Sequence, residues 1–157
     1  MQSVELGEMN RLIDDFEYVL RQVPDSRREM HRRVGAAMLA EVRRQIDLSG
    51  LNDARGRIKG YQDYFVGSLG GYAAVRAIRG LGPHGYSDSP GALTNYLENG
   101  HRIRPPSGQA KKRRRGRAKK AYVDGYHFYE AARRTAEGIA LDEAYRYAEE
   151  VAAMLEG

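Results

Sequence analysis

The side chains that carry most enzyme and metal chemistry are sparse in this sequence. Histidine stands at His31, His84, His101 and His127, and there is no cysteine. No histidine has a second one three or four residues on, and none sits in an H-E-x-x-H run, so no helix offers a ready pair of metal ligands. A metal would need ligands from distant segments. Without cysteine, disulfides, thiolate zinc sites and thiol catalysis are excluded. The carboxylate pairs Asp14-Asp15, Asp142-Glu143 and Glu149-Glu150 fall on expected helices. Adjacent helical residues point about 100° apart, so these pairs do not converge on one substrate atom. Gly67-Ser68-Leu69-Gly70-Gly71 and Gly80-Leu81-Gly82-Pro83-His84-Gly85 are glycine-rich. Neither carries the G-K-[ST] of a P-loop or a complete G-x-G-x-x-G, and they read as turns. No serine sits in a G-x-S-x-G elbow. The expectation is a non-enzymatic protein with no cofactor, no catalytic residue and no metal site.

The charge is more informative. There are 26 Lys+Arg against 21 Asp+Glu, a formal +5. Lys111, Lys112, Arg113, Arg114, Arg115, Arg117, Lys119 and Lys120 lie in one run of ten residues that contains no acid. Outside it, 18 basic residues face 21 acidic ones, a balance of −3. This is a mildly acidic body carrying one basic insert, over about 105–121. Such an insert is a solvated loop held open by its own repulsion, or an arm that binds phosphates by displacing counterions without reading sequence. By composition it also fits a nuclear-localisation patch. No aromatic interrupts the run, so base stacking has no support there.

The elements that must position these residues follow from periodicity. At 157 residues the chain suits one domain, 1–157, and its 41% hydrophobic content is enough for one modest core. Met9, Leu12, Ile13, Phe16, Val19, Leu20 and Val23 share a helix face, predicting a helix over Leu6–Val23. Pro24-Asp25-Ser26 should stop it and cap a second helix, Arg27–Leu48, which ends at Ser49-Gly50. A polar connection, Asn52 to Gly60, leads to residues that favour strands. Two antiparallel strands are expected, Asp63–Leu69 and Tyr72–Arg79, turning at Gly70-Gly71. A short helix over Ala92–Asn99 should face Leu93, Tyr96 and Leu97 inward. His101–Arg104 and Ala121–Val123 are expected as further short strands flanking the insert. A long helix, Tyr126–Leu155, should bury a stripe from Tyr129 through Ala132, Ala136, Ile139, Ala140, Ala144, Tyr147, Ala148 and Val151 to Leu155, with a weak point at Gly138 and a second cap at Asp142. The fold class is α+β: one small, mainly antiparallel sheet packed with two N-terminal helices and a long C-terminal helix. No run reaches the roughly 18–20 apolar residues that span a bilayer. The N-terminus lacks a basic region and an apolar run, so no signal peptide is expected.

Two phrases go further. Leu93-Thr94-Asn95-Tyr96-Leu97-Glu98-Asn99-Gly100-His101-Arg102 resembles the Y-A-x-x-V-E-x-G-H/T signature of a family of tailed-phage neck proteins. Val123-Asp124-Gly125-Tyr126-His127-Phe128-Tyr129-Glu130-Ala131-Ala132 resembles that family's V-x-G-x-x-F/M-x-x-x-A start of the C-terminal helix. These are head–tail joining, or tail-completion, proteins of phages with long tails. The resemblance covers about Leu12 to Leu155. It departs before the hairpin, where Arg57-Ile58-Lys59-Gly60-Tyr61 replaces a Pro-x-Thr/Ser-Gly-x-Leu phrase, which leaves the lead-in to the sheet and the sub-family open.

The resemblance implies a structural virion protein, made in the bacterial host cytoplasm and placed in the neck. Such subunits form a homo-oligomeric ring through which DNA passes. The ring meets a portal or head-completion protein on one side and a tail-terminator or tail-tube protein on the other. Tyr96, Glu98, His101 and Arg102 are the candidate interface residues, because an aromatic, an acid and bases stand together beside a glycine turn. Their alternative reading puts Tyr96 in the core and makes Glu98 a cap for local backbone. The eight basic residues of the insert are candidates for contact with lumen DNA or with an acidic neighbour. Two other readings stand beside this one: a nucleic-acid-binding protein using the arm 111–120, and a tail-terminator or head-completion ring.

Overall fold

A computed structural model describes residues 4–103 and 122–156. Two compact units form within the chain. The first is Met1–Ala40, Tyr64–Val75 and Arg133–Gly157; the second is Glu41–Asp63 and Arg76–Ala132. Helix α1 (Val4–Leu48), strands β1 (Gln62–Val66) and β2 (Ala73–Ala77) and helix α4 (Phe128–Glu156) each contribute residues to both units. No single cut in the sequence therefore releases one of them as a contiguous domain.

The first expectation to change is the N-terminal break. Both expected segments are helical, but α1 runs through Pro24 as one helix of 45 residues. A proline inside a helix has no N–H for the carbonyl four residues back, here that of Leu20, and normally costs about 3 kcal/mol. The interruption falls on a wet face: Leu20, Arg21, Pro24 and Asp25 are all exposed. The freed carbonyl can bond water there, and continuing the helix places the next two turns usefully. Arg27 Nη2 donates to the Leu69 carbonyl at 3.3 Å and Arg28 Nη2 to that of Ser68 at 3.2 Å. Tertiary contacts of this kind override a local breaker.

Those carbonyls belong to the tip of the β1–β2 hairpin. Gly67 N–H donates to Tyr72 O at 3.0 Å and Gly70 N–H to Gly67 O at 2.8 Å, so the turn lies where the paired glycines predicted it. The strands are shorter than expected, because Leu69 is in the turn and Arg79 lies past the last residue of β2. α1 approaches β1 closely at Gly35, where a Cβ would stand 2.5 Å from the Tyr64 ring. Further along, Arg33 joins α1 to α4. Its Nε lies 2.7 Å from Glu143 Oε2 and its Nη2 3.2 Å from Glu150. The hydrogen bond that its Nε donates to Glu143 is the main reason the guanidinium is held above its ordinary pKa. Among the described residues, Val19, Val34 and Leu39 are the buried apolar side chains of this unit.

The second unit has buried side chains of its own. Val42 and Ile46 of α1 and Phe128 and Ala132 of α4 are buried in it. The connection expected over Asn52 to Gly60 holds a one-turn helix, α2 (Arg57–Gly60). Asp53 holds that turn by accepting from the N–H groups of Ile58 and Lys59 at 3.1 and 2.9 Å. A carboxylate at a helix start takes up N–H groups that have no partner inside the helix. Arg57 also donates to the Tyr61 hydroxyl and lies over its ring, so the phrase that departs from the resembled family is itself ordered.

A 3-10 turn (Tyr86–Asp88) leads into α3 (Pro90–Asn99). β3 (His101–Arg102) and β4 (Tyr122–Val123) then pair antiparallel, His101 opposite Val123 and Arg102 opposite Tyr122. The fold is α+β as expected, but the four strands found among the described residues form two separate two-stranded sheets, not one. β3 and β4 are two residues long among the described residues, while Arg104 and Ala121 lie outside them.

α4 is continuous through Gly138 and Asp142, with no restart. Its buried stripe is narrower than predicted. Ala136, Ile139, Glu143, Tyr147, Glu150, Val151 and Met154 are half-buried, while Ala140, Ala144, Ala148 and Leu155 are exposed. Leu141, Tyr145, Ala148, Ala152 and Leu155 follow one another at alternating spacings of four and three, all exposed. Among the described residues no helix is long and apolar enough to cross a membrane.

Candidate functional site

α3 begins where the sequence provides both a cap and a stiff first residue. Ser89 Oγ accepts from Ala92 N–H at 3.2 Å, and Pro90 occupies the first turn. The helix turns a polar stripe inward: Pro90, Thr94 and Glu98 are its buried residues, at intervals of four. Leu93 and Leu97 are half-buried, and Tyr96, expected inward, is 41% exposed. The inward face is one residue out of phase with the apolar positions, a rotation of about 100°.

Partners make that polar face stable. Gln62 is fully buried at the start of β1, and its Nε2 donates to Ile58 O at 2.9 Å and to Thr94 Oγ1 at 3.1 Å. Its Oε1 accepts from the Tyr129 hydroxyl. Every polar atom of the Gln62 side chain is thus engaged, as buried amides require. Burial, and then the nearby charge of Glu98, push the Tyr129 phenol up to about 12.

Glu98 closes the arrangement. Its Oε2 accepts from Tyr129 N–H at 2.9 Å and its Oε1 from Glu130 N–H at 3.0 Å. These are N–H groups of the first turn of α4, where a negative charge also meets the positive end of the helix dipole. The backbones lock alongside. Tyr126 N–H donates to Leu97 O at 2.7 Å and His127 N–H to Glu98 O at 3.2 Å. A Cβ on Gly125 would lie 2.1 Å from Glu98 O, and one on Gly100, whose φ is +75°, would lie 2.3 Å from Val123 O. Neither position admits a larger residue without moving backbone. Phe128 is 0% exposed and meets the Tyr129 ring at 5.1 Å. The two phrases singled out in the sequence are therefore one packing unit. Glu, Gly, Gly, Phe and Ala are its structural members.

The outer side of this junction is a cleft of about 770 Å³. Tyr86, Ser87, Tyr96, His101 and Arg102 line it, with Ala92 and Ile103 adding apolar surface. The Tyr96 and His101 rings stand 5.5 Å apart at 49°. Three of the four candidate interface residues, Tyr96, His101 and Arg102, are thus brought together on a surface. Glu98 is not with them. At 8% exposure, with both oxygens accepting backbone N–H groups, its carboxylate faces the interior. The eight basic residues Lys111 to Lys120 lie outside the described residues.

Sequence reasoning missed Gln62, Thr94 and Tyr86, and it placed Tyr129 on the buried stripe of α4 without its hydrogen bond to Gln62. Thr94 carried a signal, since it stands one helical turn before Glu98, but a polar stripe was not sought. Gln62 carried none, because its partners come from 4, 32 and 67 residues away. Among the described residues no three His, Asp or Glu side chains come together to hold a metal ion. No family model, no curated protein and no solved structure matches this chain.

Proposed function

We propose that this chain is a structural virion protein of a long-tailed phage, a subunit of a ring at the head–tail interface. In this reading DNA passes through the ring. A portal or head-completion protein lies on one side, and a tail-terminator or tail-tube protein on the other. The protein has no catalytic role, and its place is the virion neck.

The observation that carries the reading is the meeting of the two resemblance phrases. A chance likeness in two stretches, with 20 residues between Arg102 and Val123, has no reason to fall on residues that need one another. Here the Glu of the first phrase caps the helix opened by the second, and the Gly of each has backbone of the other where a Cβ would stand. The uncovered side chains of the first unit add support. Ile13, Phe16 and Leu20 on α1 and Leu141, Tyr145 and Leu155 on α4 are each more than 40% exposed. Exposed apolar side chains are available for protein contacts, and closed rings require two complementary patches on each subunit.

The test is assembly. The purified protein, alone and mixed with portal complexes or tail tubes of a phage that encodes it, should give rings or decorated tube ends by negative-stain microscopy. A chain that stays monomeric and attaches to neither would sink the proposal.

A further inference from the structure

The cleft beside β3 has a chemistry that ring packing does not call for. Its polar lining is two phenols, an imidazole, a guanidinium and a serine hydroxyl, with no carboxylate among them. It is a shallow cleft of about 770 Å³, open to solvent, so a ligand would lie against its lining with one side in water. Tyr86 is 82% exposed, so a face of its ring is available to a ligand. Among the described residues Arg102 has no acidic partner. The Tyr96 and His101 rings are already within stacking range of each other.

We propose that this cleft binds a nucleotide unit, an aromatic base with its phosphate. The base stacks on Tyr86 or Tyr96, and the phosphate lies against Arg102, with His101 beside it. Flat π faces and one cation suit a base carrying one phosphate. An acidic peptide would use the cation and gain little from the rings. A duplex hides its base faces, so the cleft favours single strands. The binding site is the cleft. The stacking groups of the cleft are Tyr86, Tyr96 and His101. This inference does not depend on the ring reading.

Free nucleotide and nucleic-acid strand offer the same chemistry, and the experiment separates them. The full chain is titrated with a fluorescein-labelled single-stranded eight-nucleotide DNA, with the same sequence as a duplex, and with dTMP. Anisotropy follows the DNA ligands, and intrinsic tyrosine emission follows dTMP, since the chain has no Trp. The expected result is single-strand binding at least about tenfold tighter than duplex binding. Tyr86→Ala and Arg102→Ala should each weaken it about tenfold, and Tyr86→Phe should restore it. Saturable dTMP binding lost in Arg102→Ala, without strand binding, supports the cleft with free nucleotide as the source. Equal binding of single strand and duplex overturns the proposal. So does single-strand binding unchanged in Tyr86→Ala and Arg102→Ala, or equally effective competition by an oligoglutamate. Binding of none of the ligands also overturns it. Circular dichroism controls for folding. Ring assembly is scored separately, so failure of one reading leaves the other standing.

Discussion

A carboxylate taken out of water needs donors in place of the water it loses, and Glu98 has two in the N–H groups of Tyr129 and Glu130. Glu98→Ala strands both, and loss of such a cap costs about 1–2 kcal/mol. Glu98→Gln keeps one acceptor and should cost less, so chemical denaturation should rank wild type above Gln above Ala. Gly125→Ala places a methyl 2.1 Å from Glu98 O. It should cost at least about 2 kcal/mol, since the clash is with backbone. Tyr129 makes a pH prediction. Its phenol ionises near 10 when unperturbed and is pushed up to about 12 in the fold. Below 10 it is neutral in the folded and the unfolded chain alike. Above 10 the unfolded chain releases the proton first, so stability falls as pH rises from about 10 to about 12. Tyr129→Phe has no such proton and should show a shallower loss over that window. Equal slopes for the two proteins in urea titrations would show that the phenol is not held in this way.

At the scale of elements, α1 keeps its course through Pro24 although the residue is unfavourable there. Pro24→Ala restores an N–H to the helix without touching a buried side chain. It should stabilise the protein by about 1–3 kcal/mol, raising the thermal midpoint by several degrees. A fall in midpoint would mean that the proline sets a bend the fold needs. Arg33 is the other element-scale device, one guanidinium shared by two carboxylates of α4. All three side chains are partly shielded, so Arg33→Met should cost about 1–2 kcal/mol, between the values for exposed and buried pairs. Added salt should reduce the difference between the two proteins.

At the scale of the whole molecule, the predictions concern surfaces. Leu141 and Tyr145 are exposed on α4, so replacing both by Lys should leave the thermal midpoint nearly unchanged. In the ring reading the same change should lower the native mass, read by light scattering. Replacing Lys111, Lys112, Arg113, Arg114, Arg115, Arg117, Lys119 and Lys120 by Ser or Gly should leave the domain folded, since none lies on an apolar stripe. In the ring reading it should impair particle assembly or DNA retention. Normal assembly and infectivity after that change would reduce the insert to a spacer.

Sequence by itself determined what depends on neighbours along the chain. The helical segments before Leu48 and after Gly125, the hairpin with its glycine turn and the short helix before Gly100 all announce themselves within a few residues. Periodicity and turn chemistry act at that range. The isolated basic run is a property of composition and needed no structure. Tertiary structure decided what depends on distant partners. It carried α1 across Pro24, because Arg27 and Arg28 hold the hairpin tip some 40 residues away. It divided the strands into two sheets and narrowed the stripe on α4 by setting Arg33 against Glu143 and Glu150. It also turned α3 so that Thr94 and Glu98, not Tyr96, face inward. Apolar spacing ranks positions by the free energy of leaving water. It cannot register that a polar residue is equally stable inside when Gln62, Tyr129 and a helix start supply its hydrogen bonds.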